Sequence, residues 1–236
     1  MIKILKIKNK FHHILNELKH HSPFTALSVL VAMIILGIFK TFWVQDINDM
    51  TDLRDWFHIF HPLHIILSAT ATTAMFWRYE RKLFKSIIVG LVGSLMVCGI
   101  SDSLLPFIGG SLLGVQMELH WCLLVHPETV VPFAIFGVCI GIVAEDLVKD
   151  KTITIFSHSF HVLISTMATL LFLISFGFTA WFSNIPAVFL ITFIGVVIPC
   201  CFSDIILPLL VNKEVEHPND INPLGCPSAC CFSKKD

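Results

Sequence analysis

Long apolar runs broken by short charged stretches organise this chain. Runs of about 20 residues, enough to cross roughly 30 Å of hydrocarbon as helix, fall at 24–44, 57–77, 86–108, 130–147, 153–177 and 186–211. They predict an all-α integral membrane protein with about six transmembrane helices. Ahead of them, in 1–22, Ile4, Ile7, Phe11, Ile14 and Leu18 recur at helical spacing among Lys3, Lys6, Lys8, Lys10 and Lys19. That pattern suits an amphipathic helix lying on an anionic membrane surface, or a plain basic anchor that sets orientation. No cleavable signal peptide is expected, because the first apolar run is itself long enough to span.

Composition narrows the class further. With 55% hydrophobic and only 14% charged residues, there are too few charges to clothe a soluble domain of this size. Lys and Arg crowd into the N-terminal segment, into 78–85 (Arg78, Arg81, Lys82, Lys85), into 147–152 (Lys149, Lys151) and into the tail (Lys213, Lys234, Lys235). The alternate connections 45–57, 109–129 and 178–185 carry Arg54 alone. The positive-inside rule then places both termini in the cytoplasm, with the chain crossing the cell membrane several times. The eight cysteines do not form a disulfide framework. Cys98, Cys139, Cys200 and Cys201 fall within spans, and Cys226, Cys230 and Cys231 fall in a tail expected in reducing cytoplasm; Cys122 alone is expected on the outer side.

The polar residues inside the spans come in duplicate. His61-Pro-Leu-His64-Ile-Ile-Leu-Ser68-Ala-Thr-Ala71-Thr72 returns as His158-Ser-Phe-His161-Val-Leu-Ile-Ser165-Thr-Met-Ala168-Thr169. One span later, Cys98-Gly-Ile-Ser101-Asp102-Ser-Leu-Leu-Pro106 returns as Cys200-Cys-Phe-Ser203-Asp204-Ile-Ile-Leu-Pro208. A repeat of three crossings turns the second copy upside down, so the expected architecture is two inverted three-helix repeats, 23–108 and 130–212. The rest divides into the basic segment 1–22, an outer connection 109–129 and a cysteine-containing tail 213–236. His61, His64, Ser68, Ala71 and Thr72 share one helical face, and Cys98 and Asp102 lie one turn apart on theirs. Pro106 and Pro208 stand four residues beyond each Asp and cannot donate to its carbonyl, which frees an acceptor that needs another partner in a bilayer.

An ionised carboxylate within a span costs about 2.5–3.5 kcal/mol even on lenient insertion scales, and no Lys or Arg stands at the depth of Asp102 or Asp204. A proton or a metal ion is the available counter-charge. Imidazole, carboxylate and thiolate together suit divalent transition metals such as Zn²⁺, Mn²⁺, Fe²⁺, Co²⁺ or Ni²⁺. The expected ligands are His61, His64 and Asp102 in one station and His158, His161 and Asp204 in another. The two stations should lie roughly 6–8 Å to either side of the midplane at about 1.5 Å rise per residue. Ser68, Ser101, Ser165, Ser203, Cys98 and Cys200 would support the ligands or bind transiently.

The outer connection holds Met117, Glu118, His120, Cys122, His126 and Glu128 and no basic residue. It reads either as a short helix that captures cations, with Glu118, Cys122 and His126 at i+4 steps beside His120, or as an interfacial segment anchored by Trp121. Cys226, Cys230 and Cys231 match no zinc-finger spacing and remain open between metal transfer, S-acylation and no role.

Three functions compete. A transporter of divalent transition metals uses both clusters, and its metal uptake must displace protons. A metal-dependent intramembrane hydrolase or oxidase acting on lipid needs one site with an open coordination position. A b-type haem protein needs His on opposing helices. Membrane lipid and metal ions are the expected partners, and nucleic acid is not. No Walker, dinucleotide-binding or G-x-S-x-G motif occurs, so nucleotide-driven transport by this chain alone and serine hydrolysis find no support in the sequence.

Overall fold

The computed structural model describes residues 22–39, 50–143 and 151–201, together with Lys19 and Thr41. The described residues are helical throughout their ordered elements, without a strand. In chain order the helices are α1 (Ser22–Phe39), α2 (Met50–Tyr79), α3 (Leu83–Gly99), α4 (Leu105–Leu112), α5 (Cys122–Val125), α6 (Pro127–Val143), α7 (Lys151–Ser175) and α8 (Ile185–Cys201). A π-turn over Ile100–Leu104 joins α3 to α4, so that Leu83–Leu112 reads as one continuous span.

Five helices are long and apolar enough to cross a membrane, and α6 is a shorter apolar helix of 17 residues. The protein is therefore compatible with a multi-pass membrane protein. The basic segment 1–18, the connection 144–150 and everything beyond Cys201, including Ser203, Asp204, Pro208 and the tail cysteines, lie outside the described residues.

Two boundaries differ from the hydropathy reading. First, α2 begins at Met50 rather than near residue 57, because Asp52, Arg54 and Asp55 occupy its opening turns instead of a loop. The acidic side chains suit the positive end of the helix dipole. Second, Gly109 and Gly110, expected in the connection, are helical. α4 runs on to Leu112 and stops at Gly114, whose φ of +78° is the left-handed conformation of a helix terminus. Gly114 N–H donates to Ser111 O and Val115 N–H to Gly110 O, the paired bonds that satisfy a helix's last carbonyls. α7 ends the same way at Gly177 (φ +149°), with Phe178 N–H donating to Leu173 O.

α2 is the central element and packs along α3, α6 and α7, while α7 also meets α8 and the π-turn. Its approach to α6 depends on small residues. A Cβ added at Gly137 would stand 2.6 Å from Ile66 O, and one at Gly141 would stand 2.7 Å from Thr70 O. This Gly-x-x-x-Gly face lets two backbones meet where lipid offers no hydrophobic drive to hold them together. Gly137 O also accepts a hydrogen bond from the Thr70 hydroxyl at 3.1 Å.

Gly141→Ala is expected to destabilise the detergent-solubilised protein by about 1–3 kcal/mol through overpacking, read as a lower unfolding midpoint. Gly37→Ala, whose new methyl would meet only Phe182 at an ordinary 3.7 Å, is the matched control and should leave the midpoint in place.

Candidate metal centre

The duplicated His-x-x-His motifs lie on α2 and α7, which pack against each other, so both motifs face one interior. His61 and His64 are buried on α2 and His158 and His161 on α7. Asp102 is fully buried in the π-turn, between Ser101 and Ser103.

The local backbone accounts for that position. Pro106 has no N–H, so neither the carbonyl of Asp102 in α-register nor that of Ser101 in π-register can receive a bond from it. The turn widens, with Leu105 N–H donating to Ile100 O. Ser101 O instead lies 3.4 Å from the hydroxyl of Thr169 on α7. That hydroxyl is 2.9 Å from Ser165 O in its own helix and also 3.4 Å from Asp102 Oδ1. The Thr169 hydroxyl, bonded mainly to its own helix, is the α7 group nearest the Ser101 carbonyl.

Asp102 Oδ2 receives two imidazoles at once, His61 Nδ1 at 2.8 Å and His64 Nδ1 at 2.7 Å. The carboxylate can only accept here, so each Nδ1 carries a proton and Nε2 is the ring atom left to face a further partner. A carboxylate behind an imidazole is the arrangement that orients metal-binding histidines. The ring of His61 is further stacked on Phe57, with centroids 5.3 Å apart. His64 Nε2 points at Cys98 Sγ, 3.8 Å away, and the His64 ring lies 5.0 Å from that of His161.

His64, His161 and Cys200 bring one donor atom each to within 4.8 Å of the other two, and all three residues are buried. Cys200 Sγ lies 3.7 Å from Ser165 Oγ, which is 3.5 Å from Ser101 Oγ, which donates to Gly195 O at 2.9 Å. This line of hydroxyls holds Cys200 on α8, Ser165 on α7 and Ser101 in the π-turn at fixed spacing. Ser68 is buried on the histidine face of α2. His158 is buried one turn before His161 but does not belong to the three-residue group. Asp204 and Ser203 lie outside the described residues.

Two stations at opposite depths were expected, yet His64 of the first copy and His161 of the second are neighbours. The two clusters therefore approach one another, the alternative to two separate stations, and His64 stands midway along α2 as counted from Met50 to Tyr79. Asp102, expected as a ligand, has its Oδ2 committed to two Nδ1 atoms. Cys200, expected in support, offers its sulfur beside two imidazoles.

The 113–126 end of the bundle holds a second group. His58 on α2, His120 and Cys122 place their donor atoms within 4.8 Å of one another, with Cys122 Sγ 4.0 Å from His58 Nδ1. The expected short helix carrying Glu118, Cys122 and His126 at i+4 does not form; the chain is irregular over 115–121 and helical only over Cys122–Val125. Backbone bonding decides this, because Glu118 N–H donates to Phe176 O at the end of α7. The Glu118 carboxylate pairs with Arg54 at 2.6 Å, away from the histidines. His126 flanks the group, its ring 5.3 Å from His58 and 5.5 Å from His120, while its Nδ1 lies 3.4 Å from Glu128. Cys122 is buried, and burial pushes its thiol up to about 12. His58 escaped the sequence reading because the repeat puts Ile155 at its counterpart position. The signal was there in His58, His61 and His64 at i, i+3 and i+6.

A scan of protein-family models and searches of curated proteins and of solved structures find no match to this chain. The reading of the site therefore rests on its own chemistry.

Two outcomes are expected. Asp102→Asn removes the charge behind both imidazoles and should weaken metal binding at the buried group roughly 10–100-fold, measured by competition with a chromophoric chelator. The imidazole of His120 is held down to about 4, first by burial and then by His58 and His126. Its ring signals in NMR should stay those of the neutral form from pH 7 to near 5. The unfolded chain binds that proton more readily, so His120 favours unfolding as pH falls below its ordinary value of 6.5, and contributes nothing above it.

Proposed function

We propose that this chain is a multi-pass transporter of divalent transition-metal cations, with both termini on the cytoplasmic side of the cell membrane and its helices working as two inverted three-helix halves. One observation carries the reading: the buried donors His64, His161 and Cys200 are drawn from both copies of the repeat and meet between α2 and α7. A cation held there touches both halves at once. Any rocking of α2 against α7 changes its coordination, which is what alternating access requires of a central site.

The charge bookkeeping supports a cation as cargo. Asp102 brings a carboxylate into the bundle, and no Lys or Arg pairs with it among the described residues. A divalent ion at the Nε2 atoms restores balance, and binding with Cys200 as thiolate releases a proton. Two imidazoles and a sulfur favour zinc, cobalt or nickel over manganese, which prefers oxygen ligands. His61, His158 and Asp204 would serve as neighbouring stops for the moving ion.

A second reading, a metal-dependent enzyme acting on lipid, draws on the convergence of the two clusters into one three-donor group, since such a group leaves a coordination position for water. The haem reading gains nothing: rings of His64 and His161 with centroids 5.0 Å apart leave no room for a porphyrin between them.

Proteoliposomes loaded with a metal-sensitive dye should take up Zn²⁺ or Co²⁺ saturably. His64→Ala and Asp102→Asn should lower the rate at least about tenfold while the protein elutes unchanged in size. Vesicles that take up no metal, from protein whose tightly bound ion is lost in His64→Ala, would count against transport and favour the enzyme.

A further inference from the structure

We infer that His58, His120 and Cys122 form a second metal site, for a borderline-soft divalent ion of the zinc class, that staples the 113–126 segment to α2. This inference does not rest on the transport reading, because the residues involved are different and sit at one end of the bundle.

The donors are the right kind and nearly at the right separation. Tetrahedral zinc with Zn–N near 2.0–2.1 Å and Zn–S near 2.3 Å needs donor atoms roughly 3.3–3.6 Å apart. The three donors here lie within 4.8 Å of one another, with Cys122 Sγ and His58 Nδ1 at 4.0 Å. His120 supplies an independent sign of a missing partner: its Nε2 is buried and has no hydrogen-bond partner among the described residues. A buried polar nitrogen left that way costs free energy that coordination would recover. The His120 ring is held against Phe176, with centroids 5.0 Å apart and nearly parallel, so its direction is set in advance. His126 stands beside His58 and His120 and is placed to fill the fourth position.

The segment has reason to need a tie. Between Val115 and Trp121 it has no regular structure, and Cys122–Val125 is a single helical turn. Besides apolar packing, its polar ties to the rest of the bundle include the bond from Glu118 N–H to Phe176 O and the ion pair between Arg54 and Glu118, and an exposed pair of that kind contributes little. A bridging ion would cross-link α2 to the segment with coordinate bonds that solvent screens far less.

Cobalt(II) reports the site, since a thiolate ligand gives it a sulfur-to-metal charge-transfer absorption that histidine alone does not. The protein would be the full chain in detergent with Cys226→Ser, Cys230→Ser and Cys231→Ser, so that tail thiols do not contribute. Adding Cys122→Ser, His120→Ala or His58→Ala should each remove one bound cobalt equivalent with its sulfur band, and Cys200→Ser should leave that equivalent in place. The histidine variants are the sharper test, because they lose a sulfur signal while every sulfur remains. Unchanged stoichiometry and band in His120→Ala and His58→Ala, with elution and helical circular dichroism as in the parent, overturn the site. Failure of metal flux in proteoliposomes with this equivalent intact would count against transport alone.

Discussion

A carboxylate sealed inside apolar protein has to have its charge answered, and the arrangement around Asp102 follows from that requirement. Its side chain is wholly buried and bonded through one oxygen to two imidazoles. Charge-assisted bonds of this kind contribute about 1.5–3 kcal/mol each, of the same order as the cost of placing the acid in a span. The anion is therefore made tolerable by two imidazole N–H donors rather than by a Lys or Arg. What remains is a negative potential directed through His61 and His64 toward their far nitrogens. A cation next to those nitrogens is the natural complement, and the three-donor group lies on that side of His64.

The backbone makes this possible by breaking its own pattern. An uninterrupted α-helix through 99–107 would leave Asp102 beside a carbonyl that Pro106 cannot satisfy. The π-turn widens the helix there, and Thr169 reaches across from α7 to the Ser101 carbonyl. π-turns are concentrated at functional sites because they aim a side chain that regular spacing would turn elsewhere. Ser101 ties the same turn to Gly195 O on α8, so three helices meet at the residue that holds both histidines.

Much of this was legible in the sequence, and the parts that were not have physical reasons. Hydropathy located the apolar helices because length and composition alone determine whether a segment can span. The recurrence of His, Ser, Cys and Asp in apolar surroundings marked His61, His64, Asp102, His161 and Cys200 without any structural help. The start of α2 was not legible, since its first turns take in Asp52 to Asp55, which hydropathy scores as loop but a helix terminus welcomes. Nor was it legible that Asp102 would meet His61 and His64 through one oxygen while Cys200 comes beside His64 and His161, because spacing along one helix says nothing of which atom on another helix arrives first. The Gly137 and Gly141 contact was legible as Gly-x-x-x-Gly but passed unnoticed among the apolar runs. His58 was hidden by reliance on the duplication, which has no histidine at that register.

The duplication also explains why α2 and α7 are not equivalent. Both carry His-x-x-His, but only α2 extends the series backward to His58, giving three imidazoles along one face. Successive members are separated by about 4.5 Å along the axis, too little for three independent coordination shells with their own oriented ligands. They must divide the work, and their partners show how. His58 faces His120 and Cys122, His64 faces His161, and His61 between them is held by Asp102 and stacked on Phe57. Phe57 in turn meets the ring of His120 edge-on at 6.4 Å. His61 thus stands between the two groups, bonded to Asp102 and packed on Phe57. Because His58 and His64 are carried on one helix, a shift of α2 along its own axis would displace both donor sets together.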